Sequence, residues 1–175
     1  MTIVRTDSGA LKQAGLQAIV DKIQDVLIGY RPLTSAGLAI GTSSKKAIKI
    51  ASATKILVAG NIVTVSAAEK AFTATTHDVA HAKFAIFVLS ANSAGTVTVT
   101  KSDDADTLAE VVIPATPSGE TAFGAVIINP TGTGAFDATS TDLDDVTVVP
   151  NAVYINFTAP FDGALLDFGT VSGEA

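Results

Sequence analysis

The chain has 175 residues, of which 47% are hydrophobic and 16% charged, with a net charge of −6 and a mean hydropathy of +0.43. These values exclude a disordered chain and suffice for one compact domain with its own core. The absence of cysteine excludes disulfides and thiolate metal sites, and no uncharged apolar run approaches the roughly 20 residues of a bilayer span.

The segment MTIVRTDSGALKQ carries an acid and lacks the long apolar core of a signal peptide, so a soluble protein made in a reducing compartment is expected. The apolar residues are mainly Ala, Val and Ile, and with 14 glycines and no Trp they suit closely packed sheets. Charge is unevenly placed: all 11 basic residues lie at or before Lys101 with 5 acids, and 12 acids without a base come after it, so the two halves carry +6 and −12. Such asymmetry is a cue for interaction, either between subunits or through an acidic face left in water.

In chain order, the first predicted element is a helix. Leu16, Ile19, Ile23, Val26 and Tyr30 recur every three or four residues, Asp7 or Ser8 can cap the start, and Gly29 with Arg31-Pro32 ends it. After Pro32 the period falls to two. KILVAGNIVTV, Lys55 to Val65, predicts a hairpin with a type II′ turn at Gly60-Asn61, pairing Val58 with Val63 and Ile56 with Val65. A second hairpin is predicted from Ala82–Leu89, apolar on both faces and therefore central, and Thr96–Thr100, with Val97 and Val99 inward. Further strands are predicted at Ala109–Ile113, Thr121–Ile128, Val146–Val149 and Val153–Phe157, bounded by Pro114, Pro130, Pro150 and Pro160. Between them Thr131–Asp145 reads as a long Gly/Thr/Asp contact loop with few apolar anchors. The expected fold is mainly β, a β-sandwich or barrel-like domain over residues 33–175, preceded by an N-terminal helical arm over residues 1–32 that anchors or oligomerises.

Chemistry is sparse. His77 and His81 are four apart but lack an HExxH motif and a third ligand, so they read as surface or hydrogen-bonding histidines rather than a metal site. The acidic groups Asp103, Asp104, Asp106 and Asp142, Asp144, Asp145 lack the Gly and distant Glu of a calcium loop and read as solvated turns. GTSSKK, Gly41 to Lys46, lacks the second glycine of a phosphate loop, and GTGAF, Gly132 to Phe136, is an isolated GxG. Asn156-Phe157-Thr158 matches a glycosylation sequon but falls in a predicted strand. Basic residues are scattered without interleaved aromatics, against nucleic-acid binding. Hence no catalytic, cofactor-binding or metal residue is assigned, and the expectation is no enzyme.

The stretches AHAKFAIFVLSANSAGTVTVTKS, VVIPATPSGETAFGAVIIN and GTGAFDATSTDLDD, with KILVAGNIVTV before them, resemble a pattern of small virion structural proteins of tailed bacteriophages. The resemblance covers Ile48 to Phe157 and is one of turns and strands, so it transfers no individual binding residue. It implies a capsid decoration or cement protein on the virion surface, made in the host cytoplasm. Its implied partners are the major capsid protein and itself, as a homotrimer, with no nucleic acid, membrane or cofactor. A tail or fibre component is the second virion reading. Outside that class stands a carbohydrate- or surface-binding β module, for which Phe136 and Phe161 are the candidate exposed aromatics. Pro114 and Pro117 would pre-set the approach to the uncharged Thr121–Ile128 segment, whose edge could lie against a neighbour.

Overall fold

The computed structural model describes residues 29–150 and 152–157, and among them the period-two patterns become ten strands and no α-helix. These are β1 (Arg31–Pro32), β2 (Leu38–Ile40), β3 (Ala47–Ile50), β4 (Thr54–Val58), β5 (Asn61–Val65), β6 (Ala68–Ala71), β7 (Ala85–Ala91), β8 (Val97–Lys101), β9 (Thr121–Ile128) and β10 (Val153–Asn156). They form three antiparallel sheets, ordered β1-β4-β5, β10-β9-β7-β8 and β2-β3-β6, none closed into a barrel. The helical stripe expected before Tyr30 lies, up to residue 28, outside the described residues. Arg31 and Pro32 pair with Leu57 and Ile56 of β4, so they are part of a sheet.

The β4–β5 hairpin exists with a different turn. Ala59 and Gly60 both have positive φ, 49° and 81°, the type I′ signature. Val58 therefore faces Asn61 and Ile56 faces Val63, correcting the expected Gly60-Asn61 turn and its register. The shift is two residues, so Ile56, Val58, Val63 and Val65 still share one face. The second hairpin closes at Asn92, whose Oδ1 accepts the Ala94 and Thr96 N–H groups at 2.9 and 3.1 Å. As expected, β7 is interior to its sheet, and Val97 and Val99 pack on the core.

β9 has the predicted bounds but sits between β10 and β7. Phe123, Gly124, Ala125 and Val126 are all buried, so the strand is uncharged because it is interior. It offers no free edge to a neighbour. Opposite the Leu89/Ser90 step the register skips Phe123, a bulge that sends this ring into the core. At Gly124 a Cβ would stand 2.4 Å from Leu38 Cδ1 and 2.9 Å from the Ile155 carbonyl oxygen. Glycine here lets β2 close onto the four-stranded sheet. Thr121 Oγ1 donating to Leu57 O at 2.5 Å and Leu38 N–H donating to Asn156 Oδ1 at 2.8 Å complete the ties between sheets. One core results, drawing Leu38, Ile48 and Ile50, Ile56 and Val58, and Phe87 and Val126 from the three sheets.

Two expected strands are absent. Over Ala109–Ile113 the chain makes a 3₁₀ turn, Leu108–Glu110, passes through an extended Val111 and continues without strand pairing. Glu110 Oε2 accepts the Thr107 N–H at 3.1 Å, a local bond that ends any strand there. Val146–Val149 is a turn: Asp145 Oδ1 takes the Thr147 N–H and hydroxyl, and the Asp145 carbonyl takes the Val148 and Val149 N–H groups. Conversely β2, β3 and β6 carry no clear signal in the sequence, being runs of three or four residues, and β3 pairs with β6 across the intervening β4 and β5.

Candidate functional site

The loop Gly41–Lys46 between β2 and β3 is an anion cradle. Three successive backbone N–H groups, of Thr42, Ser43 and Ser44, donate to the Glu69 carboxylate of β6 at 2.5, 2.7 and 3.1 Å. Consecutive amides converging in this way form a concave site for negative charge. Gly41 is required for the curl, since a Cβ there would lie 2.0 Å from the Ser44 carbonyl oxygen. The amide bonds, led by that of Ser43, hold the Glu69 carboxyl below the ordinary carboxylate range, with Lys49 adding to the effect. Lys49 Nζ donates to Thr42 Oγ1 at 2.8 Å, and Ser43, Lys49, Ile50, Ala67 and Glu69 border an open cavity of about 320 Å³. The GTSSKK loop thus does cradle an anion, and the anion is the chain's own Glu69. Its partner is 25 to 27 positions away, which no local motif reveals.

His77 belongs to the core. Only 5% exposed, it packs edge-on against Phe72 and Phe87, with ring centroids 5.7 Å away in both cases, and its Nδ1 accepts the Thr73 N–H at 2.9 Å. Burial pushes its pKa below the usual value, outweighing the raising effects of its bond to the Val99 backbone and of Asp78; Lys101 and Lys70 also lower it. The unfolded chain takes up a proton near pH 6.5 and the folded chain does so only at lower pH. Stability is therefore full above about pH 6.5 and falls as pH drops through the folded pKa. Melting temperature measured from pH 7.5 to 5 is expected to fall for the native chain and to stay flatter for His77→Phe. Parallel slopes would remove His77 as the cause.

His81 lies apart, exposed, its Nε2 2.8 Å from the Gly132 carbonyl oxygen. The acidic groups are structural. Asp104 accepts the Ala80 N–H at 2.8 Å and pairs with Lys101, Asp106 pairs with Lys83, and Asp144 pairs with Lys45. Lys101–Asp104 is a local pair, three residues apart, whereas Lys45–Asp144 and Lys83–Asp106 each join a lysine of the basic half to a distant aspartate of the acidic half, so the halves meet within one chain. Lys101–Asp104 is the pair best shielded from water. Among the described residues, no group of three or more His, Cys, Asp or Glu is placed to hold a metal ion.

The loop Thr131–Asp145 is well anchored, contrary to expectation. Phe136, Ala138 and Leu143 are buried, and Phe136 exchanges two backbone hydrogen bonds of 2.9 Å with Val79. Phe136 is fully buried against Phe72 and cannot stack on a sugar; Phe161 lies outside the described residues. What stands out instead is apolar. Val112 and Ile113 are 79% and 67% exposed just before Pro114, and Ile62 is 66% exposed on β5. Exposed apolar side chains that adjoin, as Val112 and Ile113 do, are features of a contact surface. No protein-family model, curated protein or solved structure matches the chain.

Proposed function

We propose that the chain is a virion structural protein of a tailed bacteriophage that decorates the capsid exterior and stabilises the shell by bridging its subunits. The resemblance of its strand and turn pattern supports this reading, and we take the three sheets as a sandwich-like wedge. The observation that carries it is the division of labour on the surface. The carboxylates of Glu69, Asp104, Asp106 and Asp144 are committed to amides and lysines of the same chain, whereas Ile62, Val112 and Ile113 are left open. Such a surface suits apolar contact with protein. Weak contacts repeated over several shell subunits sum to firm binding.

Quantitative mass spectrometry of gradient-purified particles tests the proposal. Stoichiometric amounts relative to the shell protein are expected; a small fraction moves the chain to the tail, and absence from particles overturns the virion reading. The arm is the proposed anchor. Because Arg31 and Pro32 are paired in a sheet, the informative deletion ends at Tyr30. It is expected to abolish particle binding while leaving the far-UV circular dichroism of a β protein, and retained binding would remove the anchoring role.

A further inference from the structure

Resting on the virion reading above, we propose a direction for the contact. The end of the four-stranded sheet where β7 stops and β9 begins faces the shell, and the opposite end faces water. Both ways out of the described domain lie at the first end. Tyr30 precedes Arg31, which pairs with Leu57, and the Leu57 carbonyl accepts the Thr121 hydroxyl at 2.5 Å. Phe157 donates its N–H to the Phe123 carbonyl at 3.1 Å. Thr121 and Phe123 open β9, so residues 1–28 and 158–175 both join the domain beside the start of that strand. An anchor in either stretch draws this end, rather than the other, onto the partner.

Charge separates the two ends. At the first, residues 88–100 and 111–119 hold no charge, and Glu120 is occupied by the Ser90 and Thr98 hydroxyls at 2.5 and 3.0 Å. Ile62 lies in one row with Leu57 and Arg31, and both Ile62 and Tyr30 are exposed. The Cβ position of Gly95 lies 3.0 Å from the Thr64 carbonyl oxygen, which brings Lys55, opposite Thr64 and exposed, to the same end. The partner that fits is a largely uncharged protein surface offering an acid to Lys55. At the other end β7 begins, β8 and β9 stop, and Phe84 bridges Ala105. Around them stand Asp78, which accepts the Ala138 N–H, Asp104, which accepts the Ala80 N–H, and Asp103, Asp106, Asp137 and Asp145 on the adjoining loops. Lys83 and Lys101 pair with two of these acids, so this end stays negative, which keeps it in water and decorated particles apart. Exposed apolar residues mark both ends, Val146 and Val153 standing at the acidic one, so charge and the chain exits give the direction.

The chain has no cysteine, so a single introduced thiol reports on one end alone. Ala94, between β7 and β8, marks the first end, and Ala135, beside Phe136, marks the acidic one; both are exposed. Full-length Ala94→Cys and Ala135→Cys are loaded onto particles and treated with a polyethylene glycol maleimide, beside the same proteins free in solution. On particles Ala94→Cys is expected to lose its reaction, and Ala135→Cys to react at the rate of the free protein. Ser118→Cys, exposed on the turn before β9, repeats the first measurement should Ala94→Cys weaken binding. Protection at Ala135→Cys with reaction kept at Ala94→Cys, or equal behaviour of the two, would overturn the direction and leave the virion reading standing. Absence of the native chain and of every variant from particles would remove that reading and the direction together.

Discussion

Replacing Phe136 by alanine is expected to lower the unfolding free energy by about 3–5 kcal/mol, the usual range for a fully buried phenylalanine. The ring packs edge-on to Phe72 at a centroid distance of 5.6 Å, and Phe72 does the same to Phe87 at 5.0 Å. Phe136 is therefore the point at which the long 131–145 loop joins the aromatic centre of the four-stranded sheet. Its backbone is held on both sides by Val79, so the loop cannot readily collapse into the space the ring leaves. Against a total of roughly 5–15 kcal/mol for a domain, a loss of this size removes a large part of the stability. The midpoint of a urea titration, with Phe136→Leu as the milder comparison, measures it. A change under about 1 kcal/mol would mean that this loop is not an integral part of the core.

The second large effect is expected at Gly132. A Cβ there would stand 1.9 Å from the Thr147 carbonyl oxygen and 2.9 Å from Val148 Cα, and these are backbone atoms that cannot rotate away. Gly132→Ala must separate two strands of loop now joined by Gly132 N–H to Val148 O at 3.2 Å and Thr133 N–H to Thr147 O at 2.7 Å. Overpacking together with two weakened hydrogen bonds amounts to about 3 kcal/mol. Gly134, two residues on, has nothing within 4 Å of its Cβ position, so Gly134→Ala should change stability by about 0.5 kcal/mol or less. Equal melting temperatures for the two variants would show that residues 131–148 do not hold the observed conformation.

Both effects fall in a segment that looks, in sequence, like a polar contact loop. Its apolar residues Phe136, Ala138 and Leu143 fit neither a period of two nor one of 3.6, so no pattern announces their burial. The isolated Val79–Phe136 bridge that fixes them joins residues far apart in the chain. Asp137 and Asp145 are a related case. Thr139 and Thr147, respectively, hold their carboxyls below the usual range through local hydrogen bonds, which makes them turn-formers rather than ligands.

The amino-acid sequence by itself determined the mainly β character, the interior position of β7, the bounds of β9 and the inward face of the first hairpin. The hairpin face rests on alternation within a short window, which dictates the face a residue occupies, whereas the two interior strands rest on short runs without charge, β7 being apolar on both faces. It could not determine the hairpin's turn. Moving the turn from Gly60-Asn61 to Ala59-Gly60 changes pairing by two residues and leaves Ile56, Val58, Val63 and Val65 on the same face. Binary pattern is blind to such a shift, and the tertiary structure accepts a positive φ at Ala59 instead. Only the tertiary structure could likewise bring Glu69 into the amides of residues 42–44, set His77 against Phe87, and join Lys45 to Asp144 and Lys83 to Asp106. Those contacts are made between residues that sequence order keeps apart, and chain distance carries no information about which surfaces a common core will bring together.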